Sequence, residues 1–249
     1  SAEPLLARDR TAMSEPSSSA SEPRTAVPPT RPGTVDPRLL EVLVCPVTKG
    51  PLVLVVHPSL GVKSVKELIE LAKSKPGQLD YGSGGNGSSL HLAAEMFKQQ
   101  AGVNIQHIPY KGTNDLISDL LTGRVPISFM SPLIAKNHVD QGKLLALGVT
   151  SAKRSQSWPN TPTVAEAGFP GYEVYVWWGI SAPVGVSRPV YDKLRREINA
   201  VLKMPDVVQK MNAAGFELIG GTPEAFGALI RAESDKWAPV IKSAGIKID

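Results

Sequence analysis

The residues best suited to chemistry lie in one glycine-rich stretch, residues 81–91, which reads Tyr-Gly-Ser-Gly-Gly-Asn-Gly-Ser-Ser-Leu-His. A short strand, Gln78 to Tyr81, is predicted before the glycines, and Ser88 and Ser89 are predicted to open a helix after them. Glycines let a backbone approach a ligand closely. The first N–H groups of a helix have no intrahelical partner and lie at the positive end of its dipole. The stretch therefore predicts a site for an anion such as a carboxylate or a phosphate.

Two other interpretations fit the same residues. The turn could only connect a strand to a helix, with Ser88 or Ser89 as the N-cap. It also matches G-x-G-x-x-G at Gly82, Gly84 and Gly87, a motif of dinucleotide sites that needs an acidic residue roughly 20 residues further on. The next predicted strand ends in the acid-free run 109–112, and no Gly-Lys-Ser/Thr follows the loop. A nucleotide-binding α/β enzyme domain is therefore the alternative function, not the leading one.

Composition excludes several classes of protein. The chain has 249 residues, 42% of them apolar and 20% charged, and a net charge of +4, which predicts one large or two modest globular domains and no nucleic-acid partner. The single Cys45 excludes an internal disulfide and a multi-cysteine zinc site, and the four histidines lack ligand spacing. No Ser/His/Asp or Cys/His set converges on the motifs. We therefore predict no metal, no cofactor and no catalysis.

Hydrophobic patterning divides the chain. Residues 1–34 are rich in Ser, Pro, Ala and Glu and are predicted to be a disordered leader. From Val53 onward, predicted strands alternate with helices, which indicates an α/β fold with a mainly parallel sheet. The predicted elements include a buried strand at residues 53–57, helices that begin at the capping box of Ser64 and Glu67 and at Thr222 followed by Pro223, a short helix at residues 161–168 and an aromatic strand at residues 172–178. Ligands of such sheets bind beyond the carboxyl ends of the strands, where the loops 82–89, 109–113 and 130–132 should gather. No apolar run approaches the ~20 residues of a membrane span, and no secretory signal is visible.

A short segment, residues 35–52, breaks this pattern. It reads Val-Asp-Pro-Arg-Leu-Leu-Glu-Val-Leu-Val-Cys-Pro-Val-Thr-Lys-Gly-Pro-Leu and resembles the start of a small bacterial family related to the zinc-ribbon activator of methyltransferases. Everything downstream departs from that family, so no zinc site is carried over to Cys45. We interpret the segment as a short helix and turn fused to a different protein.

The remainder of the chain, from about Val53, resembles the substrate-binding proteins of tripartite tricarboxylate transporters, the Bordetella uptake gene family. The resemblance rests on the glycine-rich stretch and on the runs 54–59, 107–112, 147–154 and 162–168, with 220–224 and Lys236-Trp237 also fitting. It implies a two-lobed periplasmic-binding-protein-like receptor for organic carboxylates that works with the membrane components of a transporter. It also implies a periplasmic location, with the cytoplasm as the alternative because no signal peptide is visible.

Residue by residue, the resemblance implies a ligand site in three loops. Lys111 is expected to contribute backbone more than its ammonium, and His91 to support the loop. The implied ligand-binding residues are Ser83, Gly84, Asn86, Gly87, Ser88, Ser89, Tyr110, Lys111, Gly112, Met130 and Ser131.

The family also implies roughly a hundred residues that have no counterpart before Val53. We therefore expect residues 53–178 to form one complete ligand-binding lobe and residues 179–249 to be the C-terminal part of an incomplete second lobe. Its helices would then have lost the sheet that they normally cover. Weak or absent ligand affinity, or a fusion product without a function of its own, follows as an expectation.

Overall fold

Two separate β-sheets organise the computed structural model, which describes residues 43–183 and 185–247; all of them fall within a single unit. The larger sheet has the strand order β4-β3-β5-β2-β6, and the smaller has the order β7-β1-β8. The strands are β1 Leu43–Pro51, β2 Val53–Val56, β3 Asp80–Ser83, β4 Gln106–Pro109, β5 Ile127–Met130, β6 Leu145–Val149, β7 Tyr175–Ser181 and β8 Glu217–Leu218. The helices are α1 Val65–Ser74, α2 Ser89–Ala101, α3 Thr113–Leu121, α4 Pro132–Asp140, α5 Arg188–Val201, α6 Pro205–Ala213 and α7 Pro223–Ala244.

The five-stranded sheet is buried on both faces. All four residues of β2 have no exposed surface, and they alternate between two hydrophobic clusters: Leu54 and Val56 pack with α1 and α2, whereas Val53 and Val55 pack with α4. Strand β3 pairs in parallel with β4 and β5, but β2 runs antiparallel to β5 and β6. Four strands therefore share one direction, and the predicted α/β class with a mainly parallel sheet is confirmed.

Helix ends follow the local sequence signals. Ser64 accepts from the Glu67 N–H at 3.2 Å, and Glu67 Oε2 accepts from the N–H of Lys63, the residue before the N-cap, at 2.8 Å, an arrangement close to a capping box. Thr222 caps α7 by accepting from the Ala225 N–H at 3.2 Å, and Pro223 follows it at the first helical position. These predicted helix starts are confirmed.

The predicted helix and turn in residues 35–52 is wrong where the structure describes it. Residues 43–51 form β1, the central strand of the smaller sheet, which pairs with β7 on one side and β8 on the other. Helices α5 and α7 contact β1, so the C-terminal helices retain a sheet to cover. The backbone hydrogen bonds offered by two neighbouring strands override the weak local signals of a nine-residue segment.

Other predictions differ in detail or lie beyond the description. The short helix predicted at residues 161–168 is wrong, because these residues form turns and a single bridge from Thr163 to Val149. The aromatic strand predicted at residues 172–178 lies at Tyr175–Ser181 and pairs with β1. The predicted disordered leader, residues 1–34, lies outside the described residues. The lobe boundary at residue 178 stays a prediction.

Part of the smaller sheet and its helices is exposed to solvent although it is apolar. Trp178 and Ile180 on β7 are 47% and 42% exposed, and Val190, Leu194 and Val201 on α5 are between 42% and 51% exposed. Helix stability in proteins comes mostly from burial of one face. This part of the molecule therefore gains less from burial than the five-stranded sheet.

Thr150 joins the two chain segments that run between the sheets. Its fully buried hydroxyl accepts from the Leu52 N–H at 2.7 Å and donates to the Val174 carbonyl at 2.7 Å. Its backbone N–H and carbonyl bond to the same two residues, each at 2.9 Å. Leu52 lies between β1 and β2, and Val174 directly precedes β7.

Replacing Thr150 with Val keeps the shape of the side chain but leaves the buried Leu52 N–H without its side-chain acceptor. We expect Thr150→Val to lower the free energy of unfolding by about 1–3 kcal/mol. Urea denaturation followed by tryptophan fluorescence measures this change. The matched control is Thr122→Val, because the Thr122 hydroxyl donates to Asp119 on the exposed end of α3; it should change the free energy by less than about 0.5 kcal/mol. Equal effects of the two substitutions would contradict the assigned role.

Candidate functional site

Three helices begin at one edge of the larger sheet. Because β4 and β5 both run parallel to β3, the carboxyl ends of these strands lie at the same edge. Helix α2 begins at Ser89 after β3, α3 at Thr113 after β4, and α4 at Pro132 after β5. The positive ends of three helix dipoles therefore point toward this edge, which favours a negatively charged ligand there.

The first two loops at this edge contact each other directly. The Tyr110 N–H donates to the Ser83 carbonyl at 3.0 Å. A side-chain carbon added to Gly84 would lie 3.5 Å from Thr113 Oγ1, and one added to Gly85 would lie 3.3 Å from the Tyr110 carbonyl oxygen. The third loop follows β5, which pairs in parallel with β3 and is joined to it by the Ser128 hydroxyl, a donor to the Gly82 carbonyl at 3.0 Å. The predicted gathering of the three loops is what the structure shows.

Some N–H groups of this edge hold the loop, and others are free. The Gly85 N–H donates to Ser83 Oγ at 3.2 Å and the Gly87 N–H to His91 Nδ1 at 3.1 Å. Within residues 43–183, by contrast, the N–H groups of Gly84, Asn86 and Ser89 have no protein partner. Three backbone donors at the start of α2 are therefore available to a ligand.

The starts of α3 and α4 are also open. The residues at their N-caps, Gly112 and Ser131, make no side-chain capping bond. In α2, by contrast, Ser88 Oγ accepts from the His91 N–H at 3.3 Å. Ser88 is therefore the N-cap of α2, as one interpretation of the sequence predicted. This role does not exclude a ligand site, because the loop around Ser88 still has free N–H groups.

Several predicted site residues have their side chains engaged elsewhere. Ser83 is fully buried, and its hydroxyl contacts His107 and donates to the Gly85 carbonyl. The Tyr110 hydroxyl donates to Asp119 Oδ2 at 2.6 Å, and its burial together with this bond raises its pKa to about 12. Met130 has no exposed surface and packs in the core with Val53, so the candidate site does not include it. The groups that remain open are the backbone of Gly84 and Gly112 and the residues Asn86, Ser89, Lys111 and Ser131.

A cluster of aromatic and charged side chains lies beneath the glycine-rich loop, and sequence reasoning missed most of it. The His91 and His107 rings stack with centroids 3.8 Å apart, and the Tyr81 ring stacks with His107 at a centroid distance of 4.9 Å. Glu95 accepts from the Tyr81 hydroxyl at 2.5 Å and from Lys98 Nζ at 2.6 Å. The expected supporting role of His91 is confirmed by its bond from the Gly87 N–H. We call the five residues His91, His107, Tyr81, Glu95 and Lys98 the histidine cluster.

Burial dominates the electrostatics of the histidine cluster. Burial lowers the pKa of His91, and the Glu95 carboxylate offsets part of this decrease. Burial also lowers the pKa of His107 to about 4, and the nearby His91 lowers it further toward that value. Both imidazoles are therefore neutral near pH 7. The sequence signal for the cluster was the register of two predicted strands, which places Tyr81 opposite His107.

A cavity of about 540 Å³ borders the start of α2. Gly87 and Ser89 line it together with apolar side chains that include Trp177 on β7 and Trp237 on α7. Glu233, which also lines the cavity, accepts from Trp237 Nε1 at 2.8 Å. The cavity could therefore hold the apolar part of a ligand whose charged end meets the loop.

Neither a metal-holding group of side chains nor a helix able to span a membrane occurs among the described residues. Residues 43–183 and 185–247 contain no group of three or more His, Cys, Asp or Glu side chains placed to hold a metal ion; the side chain of Cys45 is not among those described. In the same ranges, no helix has both the length and the apolar character needed to cross a membrane.

Comparison with known sequences decides the family. The family described as "Tripartite tricarboxylate transporter family receptor" matches residues 37–246. The chain belongs to this family. Protein BugT of Bordetella pertussis is 34% identical over 198 residues, which is 80% of this chain and 61% of BugT. The predicted resemblance to the Bordetella uptake gene family is confirmed.

Solved structures agree with the fold. R. palustris Rpa4515 with adipate has a TM-score of 0.78 and 36% sequence identity, and periplasmic binding protein BugD has a TM-score of 0.75 and 32% identity. Each comparison covers 82% of this chain and 69% of the other. The chain spans about three fifths of the length of BugT and of a UPF0065 protein of Pseudomonas sp. (strain P51), two curated relatives that it matches.

A separate match concerns a different family. A stretch of 25 residues, a tenth of this chain, is 72% identical to a UPF0434 protein of Rhodopseudomonas palustris (strain TIE-1) and covers 38% of that protein. This short match supports the prediction that one segment of the chain resembles an unrelated small family.

The shape of the glycine-rich loop depends on Gly85, whose φ is 122°. A side chain there is strained, so we expect Gly85→Ala to lower the free energy of unfolding by about 1–3 kcal/mol. Thermal or urea denaturation measures the change. Gly84→Ala is the matched control, because its added carbon would make only ordinary contact with Thr113 and should cost less than about 0.5 kcal/mol. A Gly85→Ala variant as stable as the control would refute the proposed constraint.

Proposed function

We propose that this protein is a solute-binding receptor for a small organic carboxylate that serves a tripartite tricarboxylate-type transporter. The observation that carries the proposal is the edge at which α2, α3 and α4 begin, with free N–H groups at Gly84, Asn86 and Ser89. A carboxylate fits this edge because it accepts several hydrogen bonds and gains from the helix dipoles.

The ligand is proposed to be a dicarboxylate or a related acid with an apolar middle. One carboxylate would meet the N–H groups of Gly84, Asn86 and Ser89, with the hydroxyls of Ser89 and Ser131 nearby in the same set of loops. The carbon chain would lie in the cavity walled by Trp177 and Trp237. The adipate named with Rpa4515, a 36% identical structure, supports this class and makes adipate the first ligand to test.

The proposed receptor carries out no catalysis. The nearest approach to a nucleophile and base is Ser83 with His107, whose Oγ and Nε2 lie 2.7 Å apart. Ser83, however, is fully buried, and a His107 pKa of about 4 makes the imidazole a weak base at neutral pH. The pair is better suited to supporting the loop than to attacking a substrate.

Affinity is proposed to be weak in this chain. Two-lobed receptors enclose the ligand between lobes, which removes water and strengthens each polar contact. Here the second sheet has three strands and leaves Trp178, Ile180 and Val190 exposed. We therefore expect a dissociation constant no tighter than about 1 µM, and calorimetry giving a sub-micromolar value would overturn this expectation.

A periplasmic site of action and the membrane components of a transporter as partners are part of the same proposal. The family and the description of BugD as a periplasmic binding protein support both. A stably folded chain that no carboxylate affects would instead favour the fusion product without its own function. A thermal-shift screen against carboxylates separates these outcomes, because a ligand that binds only the folded state raises the melting temperature.

A like charge placed in the loop tests the site directly. Asn86→Asp changes one exposed side chain by a single atom and puts a carboxylate beside the proposed ligand carboxylate. Two like charges 4 Å apart repel by about 1 kcal/mol in water and about 4 kcal/mol near a protein surface. We therefore expect adipate affinity, measured by calorimetry at pH 7.5, to fall at least about fivefold.

The control for this experiment is Asn137→Asp at an exposed position of α4, which alters the net charge equally and should leave the adipate affinity unchanged. Equal loss of affinity in the two variants would show that net charge, not the loop, governs binding. Titration with NAD and ATP tests the nucleotide-binding alternative, which the G-x-G-x-x-G turn between β3 and α2 still motivates. Saturable nucleotide binding without adipate binding would replace the receptor proposal.

A further inference from the structure

The glycine-rich loop is held by a hydrogen bond that only a neutral imidazole can accept. The Gly87 N–H donates to His91 Nδ1 at 3.1 Å, so the proton of neutral His91 lies on Nε2. Protonation of Nδ1 would place two donors opposite each other at this position. The bond fixes the residue between two free donors of the proposed site, the N–H groups of Asn86 and Ser89.

The second imidazole supports the other end of the loop. The Ser83 hydroxyl donates to the Gly85 carbonyl at 3.0 Å and accepts from the Gly85 N–H at 3.2 Å, and it lies 2.7 Å from His107 Nε2. Since the hydroxyl proton is directed to Gly85, His107 serves as the donor. Ser83 and Gly85 are thereby locked together beneath Gly84.

The two rings cannot be charged independently. Their centroids are 3.8 Å apart and their planes differ by 16°, so two positive charges there would repel strongly. The other groups that face them are Tyr81 from β3 and Glu95 and Lys98 from α2. Glu95 favours protonation and Lys98 opposes it, while His91 itself is only 5% exposed.

We propose that His91, stacked on His107, is a proton-operated latch, which holds the loop in its carboxylate-binding shape while its imidazole is neutral and releases the Gly87 N–H when Nδ1 is protonated. The inference rests on the proposed function, because it concerns the regulation of the same site. His91 and His107 are positioning residues in this mechanism, since they act through Gly87, Ser83 and Gly85 and not by touching the ligand.

The direction of the pH dependence follows from the burial of both rings. Burial makes the folded state bind fewer protons than the unfolded state below pH 6.5. The stability contributed by the pair is therefore complete above about pH 6.5 and is lost as the pH falls toward about 4. Ligand affinity should fall over the same range, because the loop loses the Gly87 bond.

The test compares wild-type protein with a double variant, His91→Asn and His107→Gln. The side-chain oxygen of the introduced asparagine replaces Nδ1 as an acceptor, the amide of the introduced glutamine replaces Nε2 as a donor, and neither group titrates. Adipate binding is measured by calorimetry at pH 7.5 and pH 5.0. We expect the affinity at pH 7.5 divided by the affinity at pH 5.0 to be about tenfold larger in the wild type than in the double variant. Adipate's own titration affects both proteins equally and cancels.

A ligand-free measurement runs in parallel on the full chain. Nuclear magnetic resonance follows the imidazole nitrogens of His91 and His107 and the Gly87 amide between pH 7.5 and 4.5. The Gly87 amide should shift with the same midpoint as His91 in the wild type and should not shift in the double variant. The matched control, His57→Asn, lies outside the cluster and should reproduce the wild-type profile.

The outcomes separate the latch from the receptor. Absence of adipate binding at either pH would exclude adipate as the ligand and leave the receptor proposal to the carboxylate screen, and the amide titration would then decide on the latch alone. A Gly87 amide that ignores the titration of His91, or equal affinity ratios in wild type and double variant, would overturn the latch.

Discussion

The hydroxyl of Thr150 is the interaction on which the two-sheet arrangement most depends. It satisfies the Leu52 N–H and the Val174 carbonyl at 2.7 Å each, and these residues belong to the two segments that pass between the sheets. Buried backbone groups without partners are costly. The Thr150 side chain therefore stabilises both segments, because it gives a hydrogen-bond partner to one buried backbone group in each of them. The edge where the helices begin lies at the same end of the large sheet, since β6 ends at Val149 and Thr150 follows it. The position of the candidate site relative to the smaller sheet therefore depends on this junction.

The smaller sheet is built around a strand that its own sequence did not predict. Strand β1 lies in the segment that was predicted to come from a different protein, yet it occupies the centre of the sheet between β7 and β8. Pairing of strands uses backbone groups that every residue except proline carries, and the register of β1 with β7 shifts between Leu43 and Cys45 and between Pro46 and Thr48. Only the packing is specific: a side chain at Gly50 would collide with Phe216, and one at Gly179 with Phe226. Glycine at these places admits the aromatic rings that α7 and the turn before β8 supply.

Elements specified by a periodic or local pattern could be predicted from the sequence. Elements whose structure depends on a partner far away in the chain could not. Strand β2, the capping pair Ser64 and Glu67 and the cap at Thr222 were all visible, because a buried run or a three-residue spacing specifies them. The strand at residues 43–51 was missed because its partners lie more than a hundred residues away. In the site, the loop and its helix start were predictable from Gly and Ser alone. Which groups remain free was not, since that depends on His91 and His107, brought together from a helix and a neighbouring strand.

The N–H groups of the glycine-rich loop fall into two sets, one that holds the loop and one that is free for a ligand, and conformational entropy explains why both are needed. A loop flexible enough to place several N–H groups on one ligand would lose too much entropy on binding unless other contacts held it first. Here Gly85 and Gly87 give up their donors to Ser83 and His91, so that those of Gly84, Asn86 and Ser89 are presented in a fixed arrangement. A protein that used all five donors for the ligand would bind each one less well. Because the acceptor chosen for Gly87 is an imidazole and not an amide, the fixed arrangement also becomes sensitive to protons, which an asparagine at the same position would not allow.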